Sequence, residues 1–95
     1  PANVGEQNPL GMDAIYPNPA AAITVIPVNT NQNLKNARIT LTNMLGQVVE
    51  VIYEGELLQG QKNFFFDASQ YENGVYQVLI QSDDYKVYQK VVIQK

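Results

Sequence analysis

The chain contains no cysteine and no histidine. The first absence removes disulfides, zinc-thiolate sites and thiol nucleophiles together, and the second removes the commonest general base and metal ligand. Most hydrolytic constellations are thereby excluded. The compartment stays open, because a secreted domain can be held together by sheet packing alone. Cations are scarce as well: six Lys and Arg stand against nine Asp and Glu, a net charge of -3. Affinity for a phosphate backbone comes from neutralising it with cations, so nucleic acid is not an expected partner. Missing too is any apolar run of about eighteen residues that could cross a bilayer as a helix. The N-terminus lacks the basic and apolar regions of a signal peptide.

What is present suits a small folded β domain. Apolar residues make up 45% of the chain and charged residues 16%, too much burial potential and too little charge for a disordered tail. Ninety-five residues can close one hydrophobic core but not two. Residues 1–12 hold two prolines, two glycines and two asparagines, and read as a linker or lead-in. The folded domain is expected over residues 13–95. The start at Pro1 instead of Met suggests a C-terminal piece of a longer precursor, with any export signal upstream.

Seven strand-like runs follow: Ala14–Tyr16, Ile23–Val28, Arg38–Asn43, Val48–Glu54, Asn63–Asp67, Val75–Ser82 and Lys86–Gln94. Alternation places Ile39 and Leu41 on one face of the third run and Arg38, Thr40 and Thr42 on a wet face. In the sixth, Gln77 and Gln81 mark the solvent side, which turns Tyr76, Val78 and Ile80 inward and leaves Leu79 outside or under a loop. Met44–Gln47, Gln59–Gly60 and Ser82–Asp84 have turn chemistry, and only Asp67–Asn73 has room for a helical turn. Strands spaced about eight to twelve residues apart predict an all-β fold, a seven-stranded immunoglobulin-like antiparallel β-sandwich.

No constellation of reactive side chains stands out. Glu50 and Glu54 read as solvated acids on a strand, and Asp83–Asp84 as a hairpin turn lacking the rest of a calcium loop. Ser69 has no histidine to serve as its base and reads as a turn residue near Asp67. Phe64 and Phe66 point together into the core while Phe65 points away, so a sugar-stacking platform would rest on Phe65 and exposed tyrosines such as Tyr85. The closing run, Val87–Lys95, is on physical grounds an ordinary last strand whose lysines keep its edge soluble.

Four segments in order change that reading: Tyr16-Pro17-Asn18-Pro19, then Ile39 to Val49 with Gly46 in its turn, then Gly74-Val75-Tyr76, then Lys90-Val91-Val92-Ile93. Together with Asp67-Ala68-Ser69 and Tyr71, this set resembles the C-terminal sorting domain of the type IX (Por) secretion system, in its type A form. The match spans about residues 13 to 95. The resemblance implies a noncatalytic label without a cofactor or metal, attached at its N-terminal side to a cargo domain. It further implies transit through the periplasm, recognition by the outer-membrane secretion translocon, and delivery to the cell surface or medium. A sortase-like peptidase would remove the label, with cleavage between Gly5 and Met12 and release or surface anchoring of the cargo. The family's opening motif falls on Tyr16, Pro17, Asn18 and Pro19. Its basic-aliphatic closing strand, the segment the translocon would read, falls on Lys90, Val91, Val92, Ile93 and Lys95. Here the strand is richer in glutamine than the family pattern. An end strand with an open backbone edge is also what strand addition requires. The competing reading is an immunoglobulin-like accessory or adhesion module that binds carbohydrate or protein at the cell surface.

Overall fold

A computed structural model describes residues 8–83 and 85–95. Part of the expected lead-in (residues 1–7) and Asp84 lie outside the described residues. Seven strands form: β1 (Leu10–Met12), β2 (Ile23–Thr30), β3 (Leu34–Thr42), β4 (Val48–Leu57), β5 (Gly60–Asp67), β6 (Gly74–Ser82) and β7 (Tyr85–Ile93). They make a three-stranded sheet, β1-β2-β5, and a four-stranded sheet, β4-β3-β6-β7, with every neighbouring pair antiparallel. This is the all-β, immunoglobulin-like sandwich that the spacing of strands and turns predicts. Its core lies between the sheets. Ile26, Val28 and Phe66 face Ile39, Leu41, Val78, Ile80, Val91 and Ile93 across it, as alternation along paired strands requires.

The first strand is not where the sequence suggests. Instead of Ala14–Tyr16, it is Leu10–Met12, paired with Val28–Thr30. Leu10 is the anchor: it is only 3% exposed, and burying it holds this short strand against β2. The sheet thus reaches into the stretch read as lead-in. Tyr16 keeps a single antiparallel bridge to Val25, and the rest of the segment turns toward β7.

Thr40 and Thr42 correct the expectation of a wet face on β3, since both are buried. β3 is a central strand, and the short side chain of Thr40 lies between Val51 and Leu79 on its neighbours, whose larger side chains shield it. Thr42 also donates its hydroxyl to the Gln77 carbonyl.

Turn chemistry is as expected. Asn43 holds the β3–β4 turn by accepting from the backbone N–H groups of Leu45 (2.9 Å) and Gln47 (3.0 Å). Gly46 completes it at φ +83°, a left-handed conformation that disfavours a side chain. Between β5 and β6, Asp67 caps a single 3-10 turn over Ala68–Gln70. Phe66 is buried and Phe64 packs against the core, whereas Phe65 is 55% exposed. Tyr85, expected to be exposed, packs instead against the core.

Candidate functional site at the closing edge

β7 borders the four-stranded sheet, with β6 along one side. Its other side is not open. Residues 13–20, the strap, run from β1 across the gap between the sheets and lie against the outer edge of β7. The local sequence explains how. Between Pro17 and Pro19, which fix φ and keep the segment out of a regular ladder, the side chain of Asn18 takes the place of that residue's own peptide groups. It accepts from the Val92 N–H at 3.0 Å and donates to the Lys90 carbonyl at 3.4 Å. Just beyond Pro19 the backbone takes over: Ala20 donates to the Val92 carbonyl (2.7 Å) and accepts from the Gln94 N–H (2.8 Å). This forms a parallel bridge between Ala20 and Ile93. Ala20 and Ile93 are both buried, so the bridge lies in the core.

Gln89 supplies a second attachment. Its side-chain amide donates to the Asp13 carbonyl (3.0 Å) and accepts from the Ile15 N–H (2.8 Å), while the Ile15 side chain is buried in the core. One of the glutamines that set this strand apart from the family pattern therefore fastens the strap. Nearer the start of β7, Asn8 donates to the Lys86 carbonyl at 3.1 Å. On its other flank the strap is tied to the three-stranded sheet, through Asp13 to Pro27 and through the Tyr16–Val25 pair. It thus joins both sheets at one side of the sandwich.

The segments singled out at the two ends of the sequence are therefore in direct contact. Within the closing strand they differ in accessibility. Val91 and Ile93 are buried core residues, Val92 is half-buried, and Lys90 is exposed on the outer face. Lys95 is held at the 3-10 turn, its N–H on Asn73 Oδ1 (3.0 Å) and its Nζ near the Ser69 carbonyl (3.4 Å). Tyr16, Pro17, Asn18 and Pro19 are exposed as side chains although the strap is fixed through its hydrogen bonds. Gly46 and Gly74–Tyr76 lie apart from the strap. Gly46 is in the β3–β4 turn. Tyr76 is half-buried against the core and donates to the Glu72 carbonyl.

Electrostatics around the 3-10 turn are shaped by two groups. The Asp67 carboxyl is held below its ordinary range by the Ser69 hydroxyl, then by the Ser69 N–H and Gln70. The Tyr71 hydroxyl is pushed up to about 12, first by burial and then by its bond to the Glu50 carboxylate. Ser69 Oγ donates to Asp67 at 2.7 Å, but a carboxylate held below its ordinary range is a weak base for a hydroxyl. Among the described residues no cluster of three or more metal-ligating side chains exists, and no helix is long and apolar enough to cross a membrane. On the outer face of the four-stranded sheet, pairing sets Val51, Thr40, Leu79 and Tyr88 in one row, with Lys90 and Lys86 in the rows on either side. Sequence reasoning missed the strap, although prolines enclosing a lone asparagine were a visible sign of a segment that bonds through a side chain.

The sequence profile of a family described as secretion system C-terminal sorting domain matches residues 14–94. No curated protein matches the chain.

Proposed function

Since the chain belongs to the family of type IX secretion system C-terminal sorting domains, we propose that it is the noncatalytic address label of an exported cargo, read at the outer membrane through its closing strand. A sorting domain of this family implies a cargo on its N-terminal side and export to the cell surface or beyond. The finer steps belong to the proposal. The cargo passes through the periplasm, the translocon reads the region of Lys90, Val92 and Lys95, and a sortase-like peptidase then cuts in the lead-in. The observation that carries this reading is the contact between the two motif segments: Asn18 and Ala20 hold the main chain of Lys90 to Gln94. Residues 72 to 74 positions apart thus build one local surface.

A periplasmic reporter fused ahead of Asn8 tests it. The expected result is reporter in the medium or on the cell surface, with retention in the periplasm once residues 90–95 are deleted. Undiminished export of the truncated fusion would overturn the reading.

One observation favours a second reading, the adhesion module. Phe65 and Tyr16 both flank Val25 in register on the outer face of the three-stranded sheet, with Ile23 exposed on the same strand as Val25. Such a row can stack on a sugar. Glycan-array binding by the intact chain, lost in Phe65→Ala, is its signature.

A further inference from the structure

We infer that the outer edge of β7 is a strand-docking site already held by an internal occupant, the strap, which an extended segment of the export machinery replaces. The inference rests on the sorting-label reading and specifies how its site is reached.

The two flanks of β7 are held very differently. Toward β6 the register is unbroken from Gly74↔Ile93 to Ser82↔Tyr85. Toward the strap there is one bridge, and only two of the bonds run from main chain to main chain. The difference lies at position 18: in the register set by Ala20 a regular strand would turn the N–H and C=O of that residue to Lys90 and Val92, and the Asn18 side chain makes those bonds instead. A segment with ordinary peptide groups could make these bonds from its main chain and continue along β7 toward Tyr88, and so exchange for the strap with a net gain in main-chain bonds. The edge is also not fully occupied. Among the described residues, no hydrogen bond from the strap reaches the backbone of Tyr88, which lies between the contacts at Lys86 and Lys90. That gap offers an entry point.

The geometry also defines the replacing segment. It must be extended, it must present acceptors to the Val92 and Gln94 N–H groups and a donor to the Val92 carbonyl, and it must carry a small apolar residue where Ala20 covers Ile93. Exposed Lys90 and Lys86 on the adjoining face suit an acidic side chain beside that strand.

Locking the strap is the direct test. The chain has no cysteine, so Ala20→Cys with Ile93→Cys gives a single possible intramolecular disulfide across the Ala20–Ile93 bridge. In the reporter fusion, the disulfide-linked double variant should be retained by about tenfold or more relative to the same double variant kept reduced, in line with a strap that must open. Full export of the linked double variant overturns strand replacement while leaving the sorting role intact. Failure of the unsubstituted fusion to be exported overturns both. Hydrogen exchange on the unsubstituted chain gives a reading that does not depend on the variants folding. The Val92 and Gln94 amides should exchange about 100-fold faster than the paired amides of β3, as expected for local opening of the strap. Exchange at the same rate as β3 means the strap opens only when the whole domain unfolds, and also overturns the inference.

Discussion

Asn18 and Val92 lie 74 residues apart and are joined at 3.0 Å, side-chain oxygen to backbone N–H. The Asn18 side-chain amide does at this edge what a peptide group does in a regular ladder. Replacing it should therefore act on stability, although its side chain is exposed. Asn18→Ala should lower the free energy of unfolding by about 1 kcal/mol, the usual net worth of such bonding. Asn18→Asp keeps the acceptor for Val92 but sets a carboxylate oxygen against the Lys90 carbonyl, so it should not recover the parent's stability. Urea denaturation of the two variants and the parent measures the differences.

Residues of the closing strand should separate into two groups. Ile93→Ala opens a cavity in the core and should cost about 2–5 kcal/mol. Lys90→Ala removes an exposed charge and should change stability by no more than about 0.5 kcal/mol. If Lys90 is read by the translocon, its variant loses export while melting like the parent. Thermal unfolding and reporter export, measured on the same proteins, distinguish lost contact from lost fold.

The position of β1 sets where the domain can be cut without damage. A chain beginning at Asp13 lacks Leu10, which is buried against β2, and should be about 2–4 kcal/mol less stable than one beginning at Asn8, the scale for deleting a buried leucine. Denaturant midpoints of the two lengths test this. A lower midpoint for the shorter chain would place any cut compatible with an intact sandwich ahead of Leu10.

Gly46→Ala should cost about 1 kcal/mol, because an L side chain at φ +83° is strained even where nothing crowds it. A Cβ there would meet no atom within 4 Å, so the penalty is one of backbone conformation. By contrast, a Cβ on Gly74 would make ordinary contact with Tyr76 at 3.7 Å, and Gly74→Ala should be milder. Comparing the two by calorimetry checks the distinction.

Two groups predict how stability varies with pH. Tyr71 has a folded-state pKa raised from 10.0 to about 12, so its contribution is fully present below pH 10 and is lost as pH rises from there through about 12. Tyrosinate absorbance should show one group titrating near that value, absent in Tyr71→Phe, whose stability should fall less on the alkaline side. Asp67 shifts the other way. Its pKa lies below the ordinary 3.8, so its contribution is present above that pH and disappears as pH falls through the folded-state value. Asp67→Asn should flatten the acid limb of the stability profile.

Much of the fold could be read from the residues because the governing signals are local. Alternation assigns Phe64 and Phe66 inward and Phe65 outward, and turn chemistry locates the Met44–Gln47 turn and the single helical turn after Asp67. What escaped depended on neighbours supplied by distant parts of the chain. Thr40 looks solvent-facing on its own strand and is covered only because Val51 and Leu79 flank it. Leu10 is a lone apolar residue after a proline until β2 gives it a partner. Gln89 looked like a departure from pattern until Asp13 and Ile15 came within reach of its amide. The closing strand looked like a free edge because nothing in its own sequence announces the strap.

The strap has a consequence for the order in which this domain assembles. Ile15 and Ala20 bond to Gln89, Val92 and Gln94, a closure that brings together segments with five other strands between them. Contacts so far apart along the chain form slowly, because the polypeptide between them must be ordered before they can be made. The hairpins therefore come first, and the strap is the latch fitted after them.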